Sequence, residues 1–213
     1  MVERTSKARK APGRKLRAVD LFSGVGGMSR GLRGVCRVVA YCEKKESSRA
    51  VLRHQMRRGK LDKAPIFTDV ELFPPLRQKV DIVAGGFPCV NISRMGTNAG
   101  FAGVGSALFN HLMAVVDACS PSYIFLENVV NITRLRNVWG VVLRSIAARG
   151  FDACWGVVSA ANCGAPHRRK RWFLLATRRG GKCPRPLFAP DTAEWGGTTL
   201  TWNPRGWNLG SRG

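Results

Sequence analysis

Strand-like and helix-like segments alternate along residues 16–177. Regular alternation of this kind is typical of one open α/β sheet, and a chain of 213 residues is long enough to bury one core. The predicted strands are 16–22, 36–42, 66–70, 80–84, 122–126, 153–160 and 171–177, and the predicted helices are 28–32, 46–57, 107–119 and 138–149.

The two ends of the chain differ in composition from this alternating region. Residues 1–15 are basic and contain little that could be buried, which predicts a disordered basic arm. The arm either follows nucleic-acid phosphates or is a solvated tail. Residues 178–213 are rich in Gly, Pro and Trp and show little helical or strand period, so loops or partial disorder are expected there. The predicted organisation is an arm at 1–15, a folded domain at 16–177 and a tail at 178–213.

The charge of the chain indicates a polyanionic partner. Lys and Arg number 35 against 13 Asp and Glu, which gives a formal net charge of +22. No apolar run approaches the roughly 20 residues that a membrane-spanning helix needs, and residues 1–17 lack the apolar segment of a signal peptide. Nucleic acid is therefore favoured over membrane, and an intracellular location over secretion.

The cysteines and histidines do not suggest a metal site. The seven cysteines are odd in number and contain no C-x-x-C pair, so neither a disulfide framework nor structural zinc is expected. The three histidines are widely spaced along the sequence. We predict a reducing compartment and no metal.

A glycine-rich turn follows the first predicted strand and leads into a helix. Gly24, Gly26 and Gly27 lie in this turn, where glycine lets the backbone approach a ligand closely. Glu43 ends the second strand, about 20 residues after the turn begins, a position that holds ribose hydroxyls in nucleoside-binding sheets. Asp69 ends the third strand and either accepts from an adenine amino group or caps a turn.

Two further strand ends carry reactive side chains. Cys89 follows Gly85-Gly86-Phe87-Pro88 after the fourth strand, and Glu127 follows the fifth. The carboxyl ends of such strands face the ligand crevice, so a thiol and a carboxylate are expected close together there. The alternatives are a small buried cysteine and a carboxylate that caps a turn. Residues 94–105 form a long glycine-dotted loop, a candidate lid.

These motifs together resemble the DNA (cytosine-5)-methyltransferase family and occur in family order over roughly three quarters of the chain. Residues 20–27, DLFSGVGG, are similar to the cofactor loop, and Gly86-Phe87-Pro88-Cys89 is similar to the nucleophile motif. Glu127-Asn128-Val129 is similar to the acid motif, and residues 166–171, PHRRKR, resemble the Pro-Gln-x-Arg-x-Arg segment. The run Arg168 to Arg171 could otherwise be a solvated face.

The resemblance implies a Rossmann-like S-adenosylmethionine-dependent fold, with helices on both faces of the sheet and a late antiparallel strand pair. It implies that residues 16–177 are a catalytic methyltransferase domain that methylates carbon-5 of cytosine in DNA. The thiolate of Cys89 would add to carbon-6 of the ring, because carbon-5 alone is a poor nucleophile. Glu127 would hold and protonate ring nitrogen 3, and Arg169 would favour the thiolate.

The resemblance also assigns binding residues to the cofactor and to the nucleic acid. The expected S-adenosylmethionine contacts are Phe22 against adenine, the Gly24 to Gly27 turn at the methionine end, Glu43 at the ribose, and Asp69, Val70 and Pro88. The expected nucleic-acid contacts are Ser93, Arg168 and Arg171, with Arg171 supporting the site rather than reacting.

The chain departs from the family pattern in three positions and in length. Val90 replaces a glutamine, Gly105 stands where an arginine is common, and His167 stands where a glutamine is usual. The 36 residues after Thr177 are too few for a target-recognition domain and a closing segment. The tail would be a remnant or substitute of the target-recognition region, and a second chain would supply target recognition.

Two alternatives to DNA methylation remain at this stage. One is cytosine-5 methylation of RNA, which the lack of an obvious Cys-Phe-Thr segment disfavours. The other is a catalytically silent nucleic-acid-binding scaffold, which the intact Cys89, Glu127 and Arg169 disfavour.

Overall fold

A computed structural model describes residues 14–88, 104–134, 136–180, 200–203 and 206–209. The basic arm up to residue 13, Cys89, Ser93 and most of the candidate lid lie outside the described residues. Within these ranges, no helix combines the length and the apolarity that crossing a membrane requires. The strands are β1 Leu16–Leu21, β2 Cys36–Cys42, β3 Ile66–Phe67, β4 Ile82–Gly85, β5 Tyr123–Val129, β6 Phe151–Ser159, β7 Lys170–Arg178, β8 Leu200–Asn203 and β9 Gly206–Leu209. The α-helices are α1 Gly27–Leu32, α2 Glu46–Arg57, α3 Val104–Cys119 and α4 Arg136–Ala148, and short 3₁₀ helices span Val130–Arg134 and Ala160–Cys163.

All strands join one sheet in the order β3-β2-β1-β4-β5-β7-β6-β8-β9. The pairs among β3, β2, β1, β4 and β5 are parallel, whereas β7 runs antiparallel to both β5 and β6. The predicted α/β sheet with a late antiparallel strand pair is therefore confirmed. Parallel strands need crossover helices, and α1, α2 and α3 lie in the sequence between successive parallel strands.

Successive core residues of the strands belong to two separate hydrophobic clusters. In β5, Ile124 and Leu126 pack in the cluster that contains α3 and α4, whereas Phe125 packs in the cluster that contains α1 and α2. Because side chains of a strand alternate between faces, the two clusters are the two faces of the sheet. This arrangement confirms the prediction of helices on both faces.

Three segments differ clearly from the predicted secondary structure. The third strand ends at Phe67 and not at residue 70, so Asp69 and Val70 follow β3 and do not belong to it. β5 continues past residue 126 to Val129, because β7 pairs with it along its whole length and opposes Glu127 with Phe173. In the tail, where loops were expected, β8 and β9 form a hairpin that pairs with β6 at Ala153 and Leu200. The Thr and Trp residues of these strands have high β-propensity, which the surrounding Gly and Pro obscured in the sequence.

Candidate active site

The turn after β1 brings backbone groups to the carboxyl edge of the sheet. Phe22 has a φ of 55°, a left-handed conformation that non-glycine residues adopt rarely and that clusters at functional sites. Gly24 and Gly26 follow with φ values of 55° and 87°. The Ser23 backbone N–H donates to the Cys42 carbonyl at 3.0 Å, which ties the turn to the end of β2. The predicted glycine turn is thus a strained loop that enters α1.

Gly26 is the turn residue with the least room for a side chain. A Cβ at this position would lie 2.5 Å from Leu61 Cδ1 and 3.0 Å from Leu52 Cδ2. We expect Gly26→Ala to lower the free energy of unfolding by about 2–4 kcal/mol, from the left-handed φ and the overpacking together. Urea unfolding measures the loss. Gly34→Ala is the matched control, since a Cβ there meets nothing within 4 Å; an equal loss in the control would contradict the account.

Glu43 closes the glycine turn through hydrogen bonds to its carboxylate. The Gly24 N–H donates to Glu43 Oε2 at 2.7 Å, and the Lys45 N–H donates to Oε1 at 2.8 Å. The side chain predicted to bind ribose is therefore held directly beside the predicted cofactor turn. Ribose binding itself stays a prediction.

Asp69 and Val70 follow the short strand β3 and lie in different environments. Asp69 Oδ1 accepts from the Glu71 N–H at 3.0 Å, and Lys44 Nζ lies 3.2 Å from Oδ2. The Glu71 N–H and Lys44 hold the pKa of Asp69 below its usual value. The Val70 side chain is buried in the core, so a contact of Val70 with adenine would use its backbone. Both cofactor roles stay predictions.

Asp20 is a buried carboxyl group at the end of β1 that we did not assign to the site from the sequence. Ser29 Oγ donates to Asp20 Oδ2, and Oδ1 has no hydrogen-bond partner among the described residues. Burial raises the pKa of Asp20 to about 7, and the nearby Glu43 charge adds to this. The first position of the DLFSGVGG motif could have pointed to this residue.

This buried carboxyl group predicts a pH-dependent stability. The folded state keeps a proton on Asp20 that the unfolded chain releases near pH 3.8, so stability falls as the pH rises from there to about 7. The decline should be on the order of 4 kcal/mol for a shift of this size. Asp20→Asn should flatten it, whereas Asp117→Asn, at an exposed ion pair, should not. Urea unfolding from pH 4 to 8 tests this; parallel curves for Asp20→Asn and the unsubstituted chain would contradict it.

The loop after β4 is fixed from two sides. Phe87 is buried and packs against Phe109 with 5.3 Å between ring centroids. The Phe87 carbonyl accepts a hydrogen bond from Asn128 Nδ2 at 3.0 Å, and Asn128 is itself buried. Gly86 leaves room for the acid, because a Cβ there would lie 3.0 Å from Glu127 Oε2. The loop therefore runs directly past Glu127 toward Pro88 and Cys89.

Glu127 forms an ion pair with Arg171 across the β5–β7 pair. Arg171 Nε lies 2.7 Å from Glu127 Oε1, and each side chain is about a quarter exposed. Arg169, predicted to favour the Cys89 thiolate, is exposed, and its backbone N–H donates a hydrogen bond to His167 Nδ1 at 3.4 Å. Arg171 is thus the cation beside the acid. Whether Arg169 acts on Cys89 stays a prediction.

These elements enclose a cavity of about 410 Å³, within the usual size range of small-molecule sites. Phe22 and Gly27 of the predicted cofactor turn line one part of it, and Gly86 and Glu127 line another. Asp20, Met28, Phe125 and Phe173 are lining residues that sequence reasoning did not assign. The predicted cofactor turn and Glu127, the predicted acid, therefore line one cavity.

Sequence comparison connects this geometry with known proteins. The family model for C-5 cytosine-specific DNA methylases matches residues 16–194. The chain is 33% identical over 165 residues to the type II methyltransferase M.CviJI of Paramecium bursaria Chlorella virus IL3A, with 76% of this chain and 43% of the relative covered. It is 29% identical over 169 residues to M2.BsuMI of Bacillus subtilis, with 76% of this chain and 42% of the relative covered. The chain thus spans less than half the length of these relatives.

Structure comparison finds the same fold in proteins whose structures have been solved. A Spodoptera frugiperda DNMT2 variant superposes with a TM-score of 0.66 and 19% identity, covering 81% of this chain and 53% of the other. The S. pombe Dnmt2 methyltransferase superposes with a TM-score of 0.62 and 20% identity, covering 80% of this chain and 53% of the other. At these identities the similarity concerns the fold alone, and it agrees with the predicted Rossmann-like methyltransferase sheet.

Proposed function

Because the chain belongs to the C-5 cytosine-specific DNA methylase family, we propose that it transfers a methyl group from S-adenosylmethionine to carbon-5 of cytosine in DNA through a covalent adduct with Cys89. The observation that supports this most directly is Glu127, which forms an ion pair with Arg171, lines the same cavity as the glycine turn and lies beside the loop that leads to Cys89.

The residues of the cavity fit S-adenosylmethionine. The glycine turn offers close backbone approach for the amino-acid end, and Glu43 offers carboxylate oxygens for ribose hydroxyls. Phe22 supplies an aromatic wall of the cavity. When bound, S-adenosylmethionine supplies an electrophilic methyl group. The chain binds and orients this group and shields the reacting atoms from water, and the cavity walls of Met28, Phe125 and Phe173 are suited to shielding.

We assign the catalytic roles to Cys89, Glu127 and Arg171. The Cys89 thiolate adds to carbon-6 of cytosine, and Glu127 passes a proton taken up from solvent to ring nitrogen 3, which leaves carbon-5 nucleophilic. Arg171 orients the Glu127 carboxyl group through the 2.7 Å contact. Once the methyl group is on carbon-5 and S-adenosylhomocysteine has been released, carbon-5 loses its proton to a water molecule and Cys89 leaves as a thiolate. The proton on ring nitrogen 3 returns to the Glu127 carboxylate, which gives 5-methylcytosine. In duplex DNA the cytosine must first leave the base stack, at roughly a few kcal/mol.

A methyl-transfer assay tests the proposed activity. The purified chain is incubated with tritiated S-adenosylmethionine and either duplex DNA or RNA of the same sequence. We expect label in DNA, located on carbon-5 of cytosine by nucleoside analysis. Label in RNA alone would indicate the RNA reaction, and DNA binding without label in either substrate would indicate a silent scaffold.

We also propose that the enzyme is intracellular, in the compartment that contains its DNA substrate. A second polypeptide would supply target recognition. The supporting observation is an apolar sheet surface beside the cavity. Phe173, which is part of the cavity wall, and Leu175, which follows it on the same face of β7, are only half-buried among the described residues, so the apolar surface extends from the cavity wall along β7. A covering polypeptide would bury them. Bisulfite sequencing of DNA methylated by the chain alone tests the need for a partner, because sequence-selective methylation by the lone chain would contradict it.

A further inference from the structure

A second and larger cavity lies on the other face of the sheet from Glu127. Its volume is about 600 Å³, and its walls come from β6, the start of β7 and both 3₁₀ helices. Trp155 of this cavity packs against Trp139 of α4 with 4.8 Å between ring centroids, and it borders the cluster that contains α3 and α4. Glu127 shares the opposite face with Phe125, two residues before it, which packs with α1 and α2.

The pleat of β7 places its first two basic residues on opposite faces of the sheet. Arg171 reaches Glu127 on one face. Lys170 lies opposite Ser159 in register, and both residues line the second cavity. Because neighbouring residues of a strand point to opposite faces, the two cations belong to adjacent sites on either side of one strand. The sheet end is therefore basic on both faces.

The second cavity carries positive charge without a neutralising acid. Arg168 and Lys170 line it and are exposed, and no Asp or Glu is among its described lining residues. Neither cation forms an ion pair within the part of the chain that the structure describes. Glu127, on the other face of the sheet, pairs with Arg171. Asn162 and Thr133 add polar groups to the same walls. Two unpaired cations with neutral hydrogen-bonding neighbours form a site for an anionic oxygen ligand.

We propose that this second cavity binds the DNA backbone at a nucleotide flanking the target cytosine, with Lys170 and Arg168 contacting its phosphodiester and Trp155 lying against its sugar or base. The inference rests on the proposed function, because the Glu127 cavity receives the target base. A strand that crosses the end of β7 would then be held on both sides of the reacting nucleotide. Arg168 and Lys170 fix its register, as backbone contacts do in DNA complexes.

Fluorescence anisotropy with a labelled G·C-rich duplex tests this site. Lys170→Gln should weaken binding by the full chain about three- to tenfold at 0.1 M salt and lower the slope of log affinity against log salt by about one. Arg168→Gln should act similarly. The matched control is Lys63→Gln, which removes an equal charge beside β3 at the far edge of the sheet. Equal effects of Lys170→Gln and Lys63→Gln would overturn the proposal, because they would mean that only net charge matters.

Replacing single phosphates of the duplex by neutral methylphosphonate linkages locates the contact. The same experiment tests this inference separately from the proposed function. Neutralising one flanking phosphate should weaken DNA binding by the unsubstituted chain but should not weaken DNA binding by the Lys170→Gln variant. If the linkage changes the DNA affinity of both proteins equally at every position while methyl transfer is normal, the proposed phosphate site is wrong and the proposed function stands. If the unsubstituted chain neither binds nor methylates DNA, both fail. Asn162→Ala gives a second test if Lys170→Gln does not fold.

Discussion

Glu127→Gln is expected to lower the rate of methyl transfer about 10³-fold, within the range that general acid catalysis contributes. Gln cannot deliver a proton to ring nitrogen 3, yet it keeps the size of the side chain that faces Gly86. Binding of S-adenosylhomocysteine should change less than threefold, because the predicted cofactor contacts belong to the glycine turn and Glu43. Single-turnover tritium transfer and equilibrium dialysis measure the two effects.

Glu46→Gln is the control for the loss of an arginine-paired carboxylate. Glu46 pairs with Arg49 and Arg53 on exposed α2, so its replacement should leave the rate within twofold. A Glu127→Gln enzyme that keeps more than a tenth of the rate would show that this carboxyl group is not the proton donor.

Arg171→Gln is expected to lower the rate about 10²-fold, because misplacing a catalytic group by about 1 Å costs a factor of this size. Arg171 Nε holds Glu127 Oε1 at 2.7 Å. Gln leaves the carboxylate without its ion pair, and Lys restores a charge but not the planar guanidinium geometry. Arg171→Lys should therefore recover only part of the rate. Single-turnover transfer at saturating DNA separates this effect from weaker DNA binding.

Arg169→Gln is the informative comparison, because Arg169 is two residues away and exposed. If Arg169→Gln lowers the rate of methyl transfer, it should also slow the alkylation of Cys89 by iodoacetamide, because the predicted role of Arg169 is to favour the Cys89 thiolate. Arg171→Gln should leave that alkylation unchanged. If Arg169→Gln lowers the rate as much as Arg171→Gln and alkylation is unaffected in both, the assignment of Arg171 to Glu127 is contradicted.

The order of strands and helices and the residues at the strand ends were predictable from the sequence, since apolar runs and glycine turns are local features. Which cation of the run Arg168 to Arg171 contacts Glu127 was not predictable. It depends on the pairing of β5 with β7, which opposes Val129 with Arg171 and places Arg171 beside Glu127. Residues 168–171 carry four cations in succession, so spacing alone could not show which one faces the acid.

Asp20 and the tail hairpin were missed for related reasons. The raised pKa of Asp20 comes from burial beneath the turn, and burial depends on how α1 packs on the sheet. The pairing of β8 with β6 joins residues 47 positions apart, Ala153 and Leu200, which no local pattern predicts. Asn128 was part of the quoted acid motif, but its bond to the Phe87 carbonyl joins two strand ends that are adjacent only in the fold.

Covalent trapping tests the central claim most directly. A duplex with 5-fluorocytosine at the target is incubated with the chain and S-adenosylmethionine, because fluorine on carbon-5 blocks the release of the attacking thiolate. We expect a denaturation-resistant complex whose peptide map places the DNA on Cys89, absent in Cys89→Ala and retained in Cys163→Ala, which removes an exposed thiol. A complex that persists in Cys89→Ala, or a chain that methylates ordinary cytosine at full rate without this sulfur, would contradict the proposed mechanism.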